Sequence, residues 1–179
     1  MLGITLSASS LAQPFWDQVD EASALEDAPS IRALGYRPHL TLTRYSTVDL
    51  TVLRKGMETF DRQAAISLYF DRVDFFDSDP LMLWLAPRQD QRLLDLHHRL
   101  HATLGPKVPA CDPHYAPAQW KPHLTVAMAI PASKRPDVLK LVSRSLDAFE
   151  LTFDSVDCVS WPPVQVLHRL ALAGGADGR

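Results

Sequence analysis

Two short segments of this chain repeat a histidine and a threonine at the same spacing. The sequence reads RPHLTL around His39 and Thr41, and KPHLTV around His123 and Thr125. In a β-strand, residues i and i+2 project from the same face, so each histidine should lie beside its threonine. Thr43 would share the face of the first pair, without a counterpart in the second motif. If a pseudo-twofold axis relates the segments, the two His–Thr pairs face each other across a groove.

Two imidazoles and two hydroxyls arranged in this way suit the cleavage of a phosphodiester. Imidazoles with a pKa near neutrality can act as general base and general acid in one reaction, which contributes roughly 10²–10⁴-fold in rate. The hydroxyls of Thr41 and Thr125 can donate hydrogen bonds to non-bridging phosphate oxygens. Either histidine can fill either role, and this chemistry requires no metal or other cofactor. The alternative is that both histidines are core residues at strand ends, yet leucine, phenylalanine and valine already serve the core.

The motifs belong to a longer internal repeat. His123 follows His39 by 84 residues, and FDSVD at 153–157 follows FDRVD at 70–74 by 83 residues. Apolar periodicity in each copy predicts the order strand–helix–strand–helix–strand. We therefore predict a single α+β domain over residues 1–179. It should be bilobal, with two pseudo-symmetric copies at approximately 1–80 and 81–173 and a central cleft between antiparallel sheets.

The elements that must position the motifs can be read from the same periodicity. Each HLT segment alternates like a strand, and Pro38 and Pro122 cannot donate to a sheet ladder, so each motif should begin at a strand start or a sheet edge. The segment 150–161 reads as one strand. Helices are predicted over four segments, at 12–27, 49–60, 89–105 and 134–149.

The composition is that of a core-forming soluble protein. Hydrophobic residues make up 46% of the 179 residues, charged residues 22%, and the formal net charge is −3, which argues against a protein that coats nucleic acid non-specifically. Cys111 and Cys158 match no metal or redox spacing and are expected to be small apolar side chains in a reducing compartment. We predict a cytoplasmic location and no membrane association, and we infer no protein partner.

Several residues near the motifs are candidate substrate contacts. Arg37 and Lys121 stand two residues before each histidine, where alternation aims them at the groove unless the intervening proline diverts them to solvent. Tyr115 and Trp120, in the loop before the second motif, could stack on a nucleobase or pack the loop onto its lobe. His114 in the same loop is a weaker candidate.

Other titratable residues are expected to be structural. His97 and His101 have the i, i+4 spacing that can bind a metal, but no carboxylate or cysteine completes a site, so a solvated helix face is predicted. His168 should be a partly buried residue of the last strand. Asp74 and Asp157 are expected to cap turns rather than act as acids.

Taken together, the two H-L-T-hydrophobic motifs in a two-copy chain of this length resemble the two-histidine (2H) phosphoesterase superfamily. This superfamily includes the bacterial 2′-5′ RNA ligases and cyclic nucleotide phosphodiesterases, and the resemblance covers nearly the whole chain. It implies a bilobal fold with a central cleft. Carried over by position, it makes His39 and His123 the catalytic histidines and Thr41 and Thr125 the phosphate-binding hydroxyls.

The function that follows is a metal-independent phosphodiesterase. The resemblance implies activity on 2′,3′-cyclic phosphate ends or 2′-5′ linkages of RNA or nucleotides, with an RNA end or a nucleotide as the partner. The alternatives are a non-catalytic protein that binds nucleotides or RNA ends, and an RNA 2′-5′ ligase that runs the reverse reaction. The natural substrate stays open among RNA ends, 2′-5′ oligonucleotides, ADP-ribose cyclic phosphate and small esters.

Overall fold

Eight strands form two separate antiparallel sheets in the computed structural model, which describes residues 1–10, 12–105 and 111–174. The first sheet has the order β2-β1-β7-β8 and the second the order β5-β4-β3-β6. Both sheets are four-stranded, which confirms the predicted α+β class with antiparallel sheets. The strands are β1 Leu2–Ser7, β2 His39–Tyr45, β3 Ile66–Phe76, β4 Leu81–Pro87, β5 Leu124–Ile130, β6 Phe149–Phe153, β7 Ser155–Ser160 and β8 Gln165–Ala171.

Helices connect and cover the sheets. α1 and α2 contact β5, and α5 contacts β3, so these helices lie on the second sheet. α3 contacts β1 and β7 of the first sheet and packs against α4. The helices are α1 Gln13–Ser23, α2 Ser30–Leu34, α3 Leu50–Met57, α4 Gln91–Leu104 and α5 Arg135–Val142, with short 3₁₀ turns at Glu58–Phe60, Pro113–Tyr115 and Ala132–Lys134.

Local chemistry accounts for where the helices around the motifs begin and end. The carboxylates of Asp49 and Asp90 accept the N–H groups of Thr51 and Leu93, which caps the first turns of α3 and α4. Gly105 ends α4 with a φ of 70°, a conformation that glycine adopts without a steric penalty. Both caps and the stop at Gly105 follow rules that can be read from sequence. Ser46 and Thr47, which are also of residue types that cap helices, precede Asp49 and do not cap α3.

The two halves of the chain exchange strands. β3 from the first half pairs with β4 and β6, while β7 from the second half pairs with β1. The predicted single strand over 150–161 is in fact interrupted at Asp154, so that β6 joins one sheet and β7 the other. The predicted first helix also ends earlier, at Ser23, and a separate short helix follows it.

Each sheet has one apolar face against helices and one face toward the motifs. Ile4, Leu6 and Leu40 of the first sheet are fully buried in the core, as are Leu85 and Leu124 of the second. Phe70 and Phe153, which begin the repeated segments FDRVD and FDSVD, are also fully buried in the core. The residues between these apolar positions, including both His–Thr pairs, project from the opposite faces because strand side chains alternate.

Candidate active site

The two motifs lie on edge strands that meet. β2 is the edge of the first sheet, β5 is the edge of the second, and the two strands contact each other. His39 opens β2 and His123 immediately precedes β5, so both motifs begin at a strand start on a sheet edge, as the prolines predicted. The contact between edge strands brings the two histidines into one region of the molecule.

Both imidazoles are held by the same backbone contact. The Nδ1 atom of His39 lies 2.9 Å from the carbonyl oxygen of Arg37, and that of His123 lies 2.6 Å from the carbonyl oxygen of Lys121. Because a carbonyl only accepts, Nδ1 must carry the proton in each ring. Nε2 is then the atom left for proton transfer: it accepts a proton in the neutral ring and donates one in the imidazolium.

This contact explains the spacing of basic residue, proline and histidine in both motifs. Proline has a fixed φ and disfavours the helical region for the residue before it, which holds Arg37 and Lys121 extended. In that conformation the carbonyl two residues before the histidine faces the ring. The contact with each histidine is therefore made by the main chain of Arg37 or Lys121, and both side chains are exposed.

A second repeated feature is a bulge directly after each threonine. Thr41 pairs with Thr5 and Thr43 with Ile4, so Leu42 has no partner in β1. In the second motif, Thr125 pairs with Trp84 and Ala127 with Leu83, so Val126 has no partner in β4. Bulges re-aim side chains near functional sites. Thr43 consequently pairs with a core residue and is fully buried, and it does not share the face of His39.

The two threonine hydroxyls are available to a ligand. Thr41 and Thr125 are both half-buried. In the described parts of the chain neither hydroxyl makes a hydrogen bond within the protein. A hydroxyl that is partly shielded from water and has no internal partner is suited to donate to an oxyanion.

Burial lowers the pKa of both histidines below 6.5. For His39, the hydrogen bond to Arg37 opposes this effect, the charge of His123 lowers the pKa further, and the charge of Asp157 raises it. For His123, the hydrogen bond to Lys121 opposes the effect of burial. A proton on His123 thus disfavours one on His39, so the two rings titrate as a coupled pair.

A buried polar network lies beside the first motif. The hydroxyl of Tyr36 donates to the Asp157 carboxylate at 2.8 Å, and the hydroxyls of Thr5 and Ser7 lie 3.0 and 3.1 Å from the Tyr36 oxygen. The Arg169 guanidinium binds the same carboxylate through two nitrogens, at 2.6 and 2.8 Å. The register pairs Thr41 with Thr5, Thr5 with Asp157 and Asp157 with Arg169, so the row crosses the whole sheet.

This network holds a fully buried charge next to His39. Burial favours a protonated Asp157, but the hydrogen bonds from Arg169 and Tyr36 hold the pKa of its carboxyl below the ordinary value. The Tyr36 ring lies 4.6 Å from the His39 ring, centre to centre. The expectation that Asp157 caps a turn is therefore wrong: it lies within β7, where an arginine one strand away neutralises it.

The second motif rests on aromatic rings instead. Trp84 pairs with Thr125 across β4 and β5, and the Phe76 and Trp84 rings stack with centres 5.0 Å apart. His123 lies 5.1 Å from the Phe76 ring, edge-on, and 5.6 Å from the Trp84 ring. The two halves of the site thus share the same motif but differ in its neighbours, which are polar side chains beside His39 and aromatic rings beside His123.

Trp120 links the two motifs. Its indole N–H donates to the carbonyl oxygen of Thr41 at 2.9 Å, although the residue itself lies three positions before His123. Its ring stacks on His97 of α4 at 3.8 Å and an interplanar angle of 4°. Trp120 is 8% exposed and its N–H is used inside the protein. The residue also lines a cavity that we describe below.

His97 and His101 serve the bulge in β2. The Nε2 atoms of His97 and His101 lie 3.0 and 3.3 Å from the carbonyl oxygen of Leu42, the residue without a partner in β1. His97 is 1% exposed and His101 is half-buried, so the predicted solvated helix face is wrong. Among the described residues, no group of three or more His, Cys, Asp or Glu side chains is placed to hold a metal ion.

The remaining candidates lie at the margins. Tyr115 is half-buried and packs against the core. His114 is exposed, with Nδ1 3.0 Å from the Asp112 carboxylate. His168 is exposed on β8, so its expected partial burial is wrong. Sequence reasoning missed Thr5, Ser7, Trp84 and Phe76 as neighbours of the site, because only strand pairing brings them beside the motifs.

The chain is similar to proteins of a known family. A model of the 2′-5′ RNA ligase superfamily matches residues 11–164, and the chain belongs to this family. Membership supports a phosphoesterase-type enzyme. No curated protein matches the chain significantly.

Solved structures share the fold across nearly the whole chain. LigT from E. coli in complex with 3′-AMP aligns with a TM-score of 0.61 and 18% identity, covering 96% of this chain and 97% of that one. TT0787 of Thermus thermophilus aligns with a TM-score of 0.59 and 16% identity, covering 97% and 98%. A structure described as a phosphoesterase aligns with a TM-score of 0.59 and 18% identity, covering 96% and 97%. At these identities the similarity establishes the fold.

Proposed function

We propose that this chain is a phosphodiesterase that acts, without a metal ion, on 2′,3′-cyclic phosphate ends or 2′-5′ linkages of RNA or nucleotides. The observation that carries the proposal is the duplicated imidazole. His39 and His123, on contacting edge strands, both bind a backbone carbonyl through Nδ1 and keep Nε2 for proton transfer. Each has a threonine two residues later whose hydroxyl makes no internal hydrogen bond in the described parts of the chain.

The reaction assigns one role to each histidine. Nε2 of one neutral imidazole takes a proton from the attacking water, whose oxygen forms the new bond to phosphorus. Nε2–H of the other imidazolium gives its proton to the ribose oxygen that leaves as its bond to phosphorus breaks. A 2′,3′-cyclic phosphate yields a phosphate monoester, and the two rings end in exchanged protonation states. Thr41 and Thr125 donate to the non-bridging oxygens, where each donor is worth about 3–4 kcal/mol in a preorganised site.

A nucleotide or an RNA end is the proposed partner. The similar LigT structures have been determined with 3′-AMP, with NADP⁺ and with ATP, which supports recognition of a nucleotide by this fold. The exposed side chains of Arg37 and Lys121 are proposed to attract the phosphate. Tyr115 and Trp120 are proposed contacts for the rest of the substrate. The described helices include none long and apolar enough to cross a membrane, and the cytoplasmic location stays a prediction.

The test is a pair of single substitutions assayed on 2′,3′-cyclic nucleotides with a chelator present. We expect His39→Ala and His123→Ala each to lower kcat/KM by at least about 10²-fold, since each removes one proton-transfer group. His98→Ala, which removes an exposed histidine of α4, is the matched control and should keep wild-type activity. Circular dichroism spectra that match wild type would show that the variants are folded.

The same assay separates the alternatives. A wild-type protein that binds nucleotides but turns over neither cyclic phosphates nor 2′-5′ linkages would be a non-catalytic binder, and the proposal would fail. Formation of a 2′-5′ linkage from a 2′,3′-cyclic end and a 5′-hydroxyl end would identify the reverse, ligase reaction at the same two histidines.

A further inference from the structure

A cavity of about 550 Å³ lies directly beside the second motif. Lys121 and Pro122, the two residues before His123, form part of its wall, and Trp84, whose ring is 5.6 Å from the His123 ring, forms another part. Its volume is within the range of small-molecule sites. The cavity therefore continues the candidate active site toward the start of α4 and is large enough for a further part of the substrate.

Trp84, which lines this cavity, has a buried hydrogen-bond donor with no partner in the part of the chain that the structure describes. The residue is 5% exposed. Within the described residues, its indole Nε1 is the one buried side-chain nitrogen or oxygen without a hydrogen-bond partner. A buried N–H without a partner is unfavourable, and such groups in native proteins call for an explanation. An acceptor atom supplied by a ligand in the cavity would satisfy it.

The charged groups of the cavity leave positive charge unpaired. Among the described residues, the lining carboxylate of Asp74 accepts the N–H of Phe75 at 2.8 Å and forms no ion pair. The other two lining carboxylates are paired, since Asp71 binds Arg88 at 2.7 Å and Asp90 binds Arg92 at 2.6 Å. In contrast, the other two cations of the lining, Arg72 and Lys121, form no ion pair within the described residues. Both are exposed and carry donors only.

The strand register places Arg72 within reach of a group next to the reacting phosphate. Arg72 pairs with Ala86 across β3 and β4, and Leu85 pairs with Leu124 across β4 and β5. Because β4 and β5 are antiparallel, extending this register by one residue places Ala86 opposite His123. Arg72 and His123 are two strand spacings apart, about 10 Å between backbones. Ala86, the residue between them, has a small side chain, and an extended arginine side chain is long enough to span part of that distance.

We propose that this cavity is a second phosphate subsite, which selects nucleotides that carry a 5′-phosphate or 5′-phosphodiester on the ribose whose 2′,3′ ester is cleaved. Arg72 and Lys121 supply the charge, and Trp84 Nε1 donates to a phosphate oxygen. The inference rests on the proposed function for the position of the first phosphate. It narrows the substrate to RNA ends and 5′-phosphorylated nucleotides, in preference to nucleosides with a single cyclic phosphate.

Binding of two adenosine phosphates tests the subsite without any need for turnover. Calorimetric titration at 150 mM salt should show that adenosine 3′,5′-bisphosphate binds about tenfold or more tightly than adenosine 3′-monophosphate, as expected for one hydrogen-bonded charge contact. Arg72→Gln should bring this ratio close to one. Arg54→Gln, which removes an exposed arginine of α3 and changes the net charge equally, should leave the ratio as in wild type.

Equal affinity of the wild-type protein for the two nucleotides would overturn the subsite, as would an equal loss of both affinities in Arg72→Gln. Turnover of 5′-phosphoadenosine 2′,3′-cyclic phosphate and of a 5′-phosphorylated 2′-5′-linked dinucleotide, measured in parallel, separates the two proposals. Preference for the bisphosphate without turnover would leave the subsite standing and remove the proposed function. Turnover without the preference would do the opposite.

Discussion

At the scale of single residues, the site depends on how each histidine is held rather than on the histidine alone. The carbonyls of Arg37 and Lys121 fix the same nitrogen of each ring, at 2.9 and 2.6 Å. The tautomer is therefore the same in both motifs, and Nε2 can act in both directions of proton transfer. A short motif with a proline before the histidine is therefore enough to determine which ring nitrogen carries the proton.

The lowered pKa of both histidines predicts where activity peaks. The active form carries one proton on the pair, and its population is greatest midway between the two pKa values, both of which burial moves below 6.5. We therefore expect a bell-shaped dependence of kcat/KM on pH, with its maximum below pH 6.5. Assays from pH 4 to 9 on a cyclic phosphate would measure it, and a flat profile or a maximum above pH 7 would contradict the paired-histidine mechanism.

Tyr36 is predicted to stabilise the buried charge beside the first motif. Tyr36→Phe keeps the ring on His39 but removes the hydroxyl that donates to Asp157. Because the carboxylate is fully buried, we expect a loss of about 1–3 kcal/mol in the free energy of unfolding, measured in urea. Tyr69→Phe, at an exposed tyrosine of β3, is the control and should change stability little. A Tyr36→Phe protein as stable as this control would show that the network is not stabilising.

At the scale of elements, α4 and the loop before β5 hold the bulged edge strand β2. His97 and Trp120 stack on each other and bind consecutive carbonyls, those of Leu42 and Thr41. An edge strand with unpaired carbonyls would otherwise leave these groups to water or to another chain. The helix thus positions the first motif without reaching the substrate.

His97 should make stability depend on pH. Burial, with the charge of His101, lowers the pKa of His97 from its ordinary value of 6.5 to about 3 in the folded protein. The folded state thus binds this proton less readily than the unfolded state does, so stability is lost as pH falls below 6.5. The loss between pH 7 and pH 5 is about 2 kcal/mol from this residue.

The measurement is urea unfolding of wild type and His97→Phe at both pH values. The phenylalanine ring can keep the stacking on Trp120 but cannot titrate. Between pH 7 and pH 5, the free energy of unfolding of this variant should therefore fall by about 2 kcal/mol less than that of wild type. His98→Gln, at the exposed neighbouring position, should retain it in full. If His97→Phe and wild type lose stability equally between pH 7 and pH 5, the buried neutral imidazole does not have this role.

At the scale of the whole molecule, exchange of strands makes the halves interdependent. Residues 1–80 contain β1 and β2, whose sheet is completed by β7 and β8, and also β3, whose partners β4 and β6 lie in the second half. A core built in this way cannot form from either half alone, even though the sequence repeats.

Separate expression of the halves tests this conclusion. We expect neither 1–80 nor 81–179 to show a cooperative thermal transition. The first fragment lacks β7 and β8 of one sheet and β4, β5 and β6 of the other, and the second lacks β1, β2 and the interior strand β3. The full chain should unfold in one transition, as a single domain does. A cooperative transition in either fragment, measured by circular dichroism, would instead indicate two independent lobes.

The candidate reactive groups and the class of the fold could both be predicted from the sequence. His39, Thr41, His123 and Thr125 could be found because the motif is local, is duplicated, and has the two-residue period of a strand. The α+β class followed from apolar periodicity. The carbonyl contacts of the histidines also have a local cause, although their geometry became visible only in the structure.

Tertiary structure alone decided what surrounds those groups. The Tyr36–Asp157–Arg169 network, the aromatic rings of Trp84 and Phe76 beside His123, and the burial of His97 depend on pairing between segments far apart in sequence, which no local pattern encodes. The break at Asp154 is similar: apolar periodicity runs through it, but packing sends the chain from one sheet to the other. Local residue order therefore specifies the candidate reactive groups, and long-range strand pairing specifies their environment.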